Sequence, residues 1–222
     1  MDKVLSEIKN RVALSNEENS KIKDAIKQFK SKIEPVFKKS KIEANIFVGG
    51  SVGKNMNLPG LHDIDIFIRF KKDGELSEIL HNALNSCFSE VTHLKGSRDY
   101  FKVNLNDFEI EVIPVLYITR PNQAKNITDH SPFHVNWSKR KSNNLVEDVK
   151  IAKQFFIGIG AYGAESWIGG FSGHVIEILT VNYGGFKKLL KGISNWGDET
   201  FVDVEKYYAN AGDAISSLDN AK

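Results

Sequence analysis

The sequence predicts an α+β protein, in which a mixed sheet with flanking helices is followed by a mainly helical region. Short segments that alternate apolar and polar residues, as half-buried strands do, are concentrated between residues 44 and 115. Stripes of apolar residues at every third or fourth position, which are typical of helices, lie before, within and after that stretch. The sheet is therefore expected in the first part of the chain, and helices in the second.

The first predicted helix precedes the sheet. Its apolar stripe consists of residues that have Lys, Glu and Gln between them, namely Ile22, Ile26, Phe29, Ile33 and Phe37. Pro35 lies inside this run, and we expect it to bend or split the helix because proline has no backbone N–H.

The strands follow in order. Residues 44–48 form a short apolar strand that ends at Gly49-Gly50-Ser51, and residues 63–70 form a second, half-buried strand. A helical stripe begins at Leu76. Two further strands, at residues 100–105 and 108–115, flank Asn106-Asp107, a pair that predicts a hairpin turn.

The second part begins with a segment rich in Pro, Asn, Ser and His. This segment, residues 121–142, is interpreted as the connection between two domains, at residues 1–138 and 139–222. Helical stripes at residues 145–156 and 173–181 then predict a mainly helical second domain.

Composition excludes several classes of protein. The chain has 222 residues, of which 41% are hydrophobic and 26% charged, as in ordinary soluble proteins. No apolar run approaches the roughly 20 residues that span a bilayer, so no membrane association is expected. The single cysteine, Cys87, cannot form an internal disulfide, and no secretory leader is evident, so we expect a cytoplasmic protein. The net charge of +2 gives no general sign of nucleic-acid binding, so any basic surface must be local.

Acidic residues on two predicted strands are the candidates for chemistry. Asp63 and Asp65 are two positions apart, so their side chains share one face of a strand. Neighbouring carboxylates repel unless a cation lies between them, and Mg²⁺ prefers such hard oxygen ligands. Glu109 and Glu111 alternate with apolar residues on a later strand, and Glu111 can reach the same metal ions if the two strands are neighbours.

An amphipathic strand facing water gives the same alternation, so the carboxylates alone do not decide the function. Gly50-Ser51 adds specificity, because it follows a strand and precedes the acidic pair by eleven residues. Backbone N–H groups and a hydroxyl at such a turn can bind a triphosphate, and Lys54 can add a positive charge. The combination indicates phosphoryl or nucleotidyl transfer.

This arrangement resembles the signature of the nucleotidyltransferase superfamily that includes polymerase β. Later stretches are similar to the archaeal, or class I, CCA-adding enzymes (tRNA nucleotidyltransferases), in the order and at about the spacing of that family. They are residues 108–114 (FEIEVIP), residues 129–134 (DHSPFH) followed by Trp137, residues 161–165 (AYGAE) and residues 170–173 (GFSG).

The resemblance implies a polymerase β-type catalytic head followed by a helical central domain, and transfer of nucleotides from ATP and CTP without a template. The expected acceptor is an RNA 3′ end, foremost that of tRNA. The resemblance places two Mg²⁺ ions at Asp63, Asp65 and Glu111. It assigns nucleotide binding to Gly50, Ser51, Lys54, Ser131, His134, Lys153 and Tyr162.

Several positions depart from the pattern of the family. Glu111 replaces a usual Asp, Lys54 a usual Arg and Met56 a common Thr, and Gly169 replaces a common basic residue. The chain also ends where longer members continue into domains that grip the tRNA body, so weak tRNA binding is expected.

Other functions remain open at this point. A related enzyme could make a signalling oligonucleotide or modify a non-tRNA acceptor. A catalytically inactive relative could bind only nucleotide or RNA, although the three carboxylates argue against it. The acceptor, the base preference and the oligomeric state are not fixed by the sequence.

Overall fold

The computed structural model describes residues 2–60, 63–96 and 98–219. The chain forms two compact units, one of residues 10–139 and the other of residues 1–9 with 140–222. The grouping of residues 1–9 with the second unit was not predicted from the sequence. Within that unit Lys9 forms an ion pair with Glu147 at 2.8 Å. Among the described residues, no helix combines the length and the apolar character needed to span a membrane.

Helix α1 (Asp2–Val12) is followed by the long helix α2 (Asn16–Lys39). Ser15 and Glu18 form a reciprocal cap at the start of α2, with each side chain accepting a hydrogen bond from the other residue's backbone N–H. Pro35 lies inside α2 and does not split it, so that part of the prediction is wrong. Pro35 has no N–H to donate to the carbonyl oxygen of Ser31. Both residues are exposed, so water can donate to that oxygen instead.

The sheet of the 10–139 unit contains five strands among the described residues. In chain order the elements are β1 (Ala44–Val48), α3 (Gly50–Gly53), β2 (Asp63–Phe70), α4 (Leu76–Asn85), β3 (Thr92–Leu94), β4 (Tyr100–Leu105) and β5 (Phe108–Leu116). The strand order is β1-β2-β5-β4-β3. Strands β2 and β5 are parallel and the other pairs are antiparallel, so the predicted mixed sheet is confirmed.

The predicted turn between β4 and β5 is also present. Leu105 pairs with Phe108, and Asn106 has a φ of 55°, which asparagine tolerates better than most residues. The short strand β3 was not predicted from the sequence.

The two faces of the sheet differ in what covers them. Alternate residues of β2, namely Ile64, Ile66 and Ile68, are fully buried in a core cluster that also contains side chains of α2 and α4. On the other face, Phe67 joins Ile113 and Val115 in a smaller cluster. The period of two along a strand therefore places Asp63 and Asp65 on the face away from the α2–α4 core.

The segment after β5 is helical rather than irregular. Two short 3₁₀ turns, Pro121–Gln123 and Ile127–His130, lead into α5 (Ser131–Lys141). Our interpretation of residues 121–142 as a plain connection missed this helix. Its buried residues are only Pro132, Val135 and Ser138, so α5 carries almost no apolar stripe that would reveal it in the sequence.

The second unit is mainly helical, as predicted. It contains α6 (Val146–Gly158), α7 (Gly173–Tyr183), α8 (Phe186–Ile193) and α9 (Ala211–Asp219). Between α6 and α7 the chain returns on itself, and Tyr162 forms a bridge with Phe171. Gly170 is required in this crossing, because a Cβ there would lie 2.4 Å from the carbonyl oxygen of Ala161.

Candidate active site

The acidic residues of β2 and β5 lie side by side in the sheet. Asp65 pairs with Glu111, and Asp63 pairs with Glu109 in the parallel register. Asp63 is exposed, whereas Asp65 and Glu111 are half-buried. Glu111 could join the two aspartates only if the two strands were neighbours, and the structure shows that they are neighbours.

The local electrostatics disfavour three ionised carboxylates. Burial, together with the negative charges of Glu111 and Asp63, raises the pKa of Asp65 to about 6. The charge of Lys54, a buried residue, acts in the opposite direction but does not cancel these effects. Crowded oxygen donors of this kind fit a divalent cation, which would relieve their repulsion.

Lys102 on β4 is a part of the site that the sequence analysis missed. Its Nζ atom lies 2.5 Å from Glu109 and 3.1 Å from Glu111. The hydrogen bond to Glu109, with a further contribution from Glu111, raises the pKa of Lys102 well above its ordinary value. Lys102 is the cross-strand partner of Glu111, and the register set by the predicted turn at Asn106-Asp107 is the signal that could have revealed it.

The carboxylates do not form a ready-made metal cage. Across residues 2–60, 63–96 and 98–219, no group of three or more His, Cys, Asp or Glu side chains is placed to hold a metal ion as it stands. The ion pair of Lys102 with Oε1 of Glu111 reduces the negative charge that this carboxylate offers to a cation.

Gly50 brings the backbone against the acidic pair. Its φ is 53°, and a Cβ at this position would lie 1.6 Å from Oδ2 of Asp65, so no other residue fits. The N–H of Gly49 also donates to the carbonyl oxygen of Asp65 at 2.8 Å. Ser51 follows directly and is half-buried. The structure therefore brings Gly50 and Ser51 together with the carboxylates.

The remaining predicted residues lie elsewhere in the chain. Ser131 and His134 belong to the first turns of α5, in the same unit as the carboxylates, with Ser131 half-buried and His134 exposed. Lys153 and Tyr162 belong to the helical unit. There they both approach Gly173, where a Cβ would lie 2.9 Å from Oη of Tyr162 and 3.6 Å from Cε of Lys153.

Lys153 is not a solvated surface charge. Its side chain is 3% exposed, and its Nζ atom lies 2.8 Å from Oε1 of Glu177, which is 1% exposed. His174 contacts the other carboxylate oxygen of Glu177 at 3.3 Å. The sequence analysis missed Glu177, because nothing in the spacing of α6 and α7 indicates which of their residues face each other.

The fold and the strand-borne carboxylates define a nucleotidyltransferase, and the comparisons agree. The profile of the nucleotidyltransferase domain matches residues 21–134, and that of the second domain of tRNA nucleotidyltransferase matches residues 147–219. The chain is 40% identical over 193 residues to the CCA-adding enzyme of Nanoarchaeum equitans, covering 86% of this chain and 49% of that enzyme. The CCA-adding enzyme of Pyrobaculum aerophilum is 30% identical over 201 residues, which cover 88% of this chain and 48% of that enzyme.

The chain therefore belongs to the nucleotidyltransferase family, and it is similar to archaeal CCA-adding enzymes over most of its length. It spans about half the length of the curated relatives it matches.

Solved structures agree with this fold. The structure of CdnC with ATP from E. coli MS115-1 has a TM-score of 0.66 and 16% identity, covering 93% of this chain and 76% of that one. The Cid1 poly(U) polymerase bound to Mg and 3′-dATP has a TM-score of 0.60 and 14% identity, covering 82% of this chain and 54% of that one. At these identities the likeness concerns the fold alone.

Proposed function

We propose that this chain is a template-independent, metal-dependent nucleotidyltransferase that adds nucleotides from CTP and ATP to an RNA 3′ end, most importantly that of tRNA. The observation that carries the proposal is the parallel register of β2 and β5, which sets Asp65 beside Glu111 and next to Asp63. Family membership supports the choice of tRNA as acceptor.

Two Mg²⁺ ions would be held by Asp63, Asp65 and Glu111. The raised pKa of Asp65 supports this assignment, since it reflects burial and excess negative charge that a cation would offset. When bound, such ions activate the attacking hydroxyl and neutralise the leaving pyrophosphate. Once Glu111 binds a metal ion, Lys102 would remain paired with Glu109, so the negative charge of Glu109 would stay neutralised.

Incoming nucleotide would be bound mainly through its phosphates. Gly50 offers a tight backbone turn directly beside Asp65, and Ser51 offers a hydroxyl at the next position of the chain. Lys54 would supply a positive charge, and Ser131 and His134 would contribute polar groups from the start of α5. Transfer then joins the 3′ oxygen of the RNA to the α-phosphorus of the NTP and releases pyrophosphate.

Within the helical unit, Lys153 and Tyr162 are proposed to contact nucleotide. Their common approach to Gly173 supports a joint role. The two family matches, at residues 21–134 and 147–219, support a boundary near residue 138 between a catalytic domain and a central domain.

The test is incubation of the protein with labelled CTP or ATP, Mg²⁺ and a tRNA that lacks its 3′ end. We expect labelled tRNA extended by a defined number of nucleotides, and no product in EDTA. Asp24→Asn, which changes an exposed carboxylate on α2, is the matched control for Asp65→Asn. Turnover of NTP without extension of any RNA would point instead to a nucleotide product, and binding without turnover would indicate an inactive relative.

A further inference from the structure

Asp129 forms a buried hydrogen-bonding centre just before α5. Its side chain is 0% exposed. Oδ1 accepts hydrogen bonds from Nη1 of Arg98 at 2.6 Å and from the N–H of Leu116 at 2.8 Å. Oδ2 accepts from the N–H groups of Lys125 and Asn126, each at 3.0 Å. A carboxylate has about four acceptor positions, so this one is fully used within the protein.

Arg98 completes the centre. Its side chain is 13% exposed, and Nη1 also donates to the carbonyl oxygen of Pro114 at 3.2 Å. Burial by itself would raise the pKa of Asp129, but the three backbone N–H groups and the charge of Arg98 hold it below its ordinary value. An asparagine would fill the same space. Its NH₂ group is a donor, however, so it would face backbone N–H groups and could not accept hydrogen bonds from them.

The centre joins two elements of the proposed active site. Pro114 and Leu116 belong to β5, the strand that carries Glu111. Asp129 precedes Ser131, the first residue of α5, by two positions. The bonds of Asp129 therefore connect the end of β5 to the start of α5.

We propose that Asp129 and Arg98 are positioning residues for nucleotide binding, fixing Ser131 and His134 of α5 relative to the strand that carries Glu111. This inference rests on the proposed function. Asp129 acts indirectly, because its side chain is enclosed and both of its oxygens are already occupied by protein donors. Arg98 supplies the only side-chain donor among these four bonds, and it holds β5 through Pro114 as well.

The experiment compares Asp129→Asn, Arg98→Met and Arg98→Lys with the wild-type chain. Equilibrium binding of labelled ATP gives Kd, and transfer to 3′-truncated tRNA gives KM for NTP and kcat, all well below Tm. Asp73→Asn is the matched control, because Asp73 forms an exposed ion pair with the side chain of Lys125, whereas buried Asp129 accepts from the backbone N–H of Lys125.

We expect Asp129→Asn and Arg98→Met to raise Kd and KM about tenfold, with kcat changed by less than about threefold, since misplaced binding groups weaken nucleotide capture. Arg98→Lys keeps the charge and should restore much of the affinity, and Asp73→Asn should behave as wild type. Amide hydrogen exchange across α5 should become faster in Asp129→Asn and in Arg98→Met, but not in Arg98→Lys or Asp73→Asn.

Lower Tm with unchanged Kd and KM in both Asp129→Asn and Arg98→Met would overturn the inference, because it would show a role in stability alone. If Asp129→Asn does not fold, the Arg98 pair decides by the same criteria, since it leaves the three backbone bonds to Asp129 in place. Wild-type protein that binds no ATP would overturn the proposed function and this inference with it. Normal wild-type binding with unaffected variants overturns the inference alone.

Discussion

Gly50 is the residue at which backbone geometry and the acidic site meet most closely. Its positive φ and its contact with Asp65 both exclude a side chain. Spacing in the sequence indicated a phosphate-binding turn here, but it could not show that the glycine packs against a carboxylate. That contact depends on Asp65 lying one strand away, a relation that only the fold creates.

Gly50→Ala is expected to lower transfer by at least about a hundredfold, because displacement of catalytic groups by about 1 Å has effects of that size. Stability should fall by about 1–3 kcal/mol from backbone strain. Gly60→Ala is the control, since Gly60 has a φ of 74° but no atom within 4 Å of its Cβ position. It should lose stability and keep activity. Similar loss of transfer in both variants would show that strain, not the contact with Asp65, is responsible.

Asp65→Asn should abolish transfer and raise the unfolding free energy at neutral pH by up to about 3 kcal/mol in EDTA. The raised pKa of Asp65 means that its ionised form disfavours the folded state, and asparagine removes that charge. Mg²⁺ should raise the Tm of the wild-type chain but hardly that of Asp65→Asn. Thermal unfolding with and without Mg²⁺ measures both effects. Equal Mg²⁺ stabilisation of the two proteins would remove Asp65 from the metal site.

Asp129 should contribute to acid sensitivity. Its pKa is lower in the folded protein than the ordinary value of 3.8, so its stabilising effect is complete above that value and is lost as pH falls through the folded pKa. The difference in unfolding free energy between wild type and Asp129→Asn should therefore be constant from about pH 7 to 5 and shrink below about pH 4. Denaturant unfolding across this range measures it. A difference that does not shrink at all as the pH is lowered below about 4 would contradict the assignment.

At the scale of elements, local patterns predicted the strands well and their partners poorly. The alternation of apolar and polar residues identified β2, β4 and β5, and Asn106-Asp107 identified the turn between β4 and β5. These features depend on residues that are close in sequence. The parallel pairing of β2 with β5 is a long-range contact that no local pattern indicates. The approach of Lys102 to Glu111 is local, because the turn at Asn106-Asp107 pairs these two positions across the hairpin. Helix α5 was missed for a different reason, since its sequence is polar around most of its surface.

The strand register leads to a prediction about the third carboxylate. Glu111→Asp should keep much of the transfer activity, because it preserves the charge facing Asp65, whereas Glu111→Gln should lose most of it. The Gln variant should also lower the pKa of Asp65, since Glu111 is one of the causes that raise it. Comparison of kcat/KM for the two variants at saturating Mg²⁺ is the measurement. Wild-type activity of Glu111→Gln would exclude a metal-binding role.

For the molecule as a whole, composition and pattern predicted a mixed sheet followed by helices, and both are present. They could not predict that residues 1–9 group with the helical unit, because that depends on contacts such as Lys9 with Glu147 between distant parts of the chain. Charge is another property of the whole chain. The 30 basic and 28 acidic side chains nearly balance, so any attraction to RNA must come from local groups rather than from net charge. Lys187 and Lys188, two exposed neighbours on α8, are such a group.

This balance of charge predicts weak, shallowly salt-dependent binding of tRNA by the 222-residue chain. Each phosphate contact contributes roughly 0.7–0.9 to the slope of log affinity against log salt, so about four contacts would give a slope no steeper than about −4. With so few contacts, an isolated acceptor hairpin should be extended nearly as efficiently as a complete 3′-truncated tRNA. Measurement of kcat/KM on both RNAs, between low and physiological salt, tests this. The double variant Lys187→Gln/Lys188→Gln is expected to make the slope shallower by the amount that one or two phosphate contacts contribute. A strong preference for complete tRNA, or a slope near −8, would show that the chain makes an extended contact with the tRNA body.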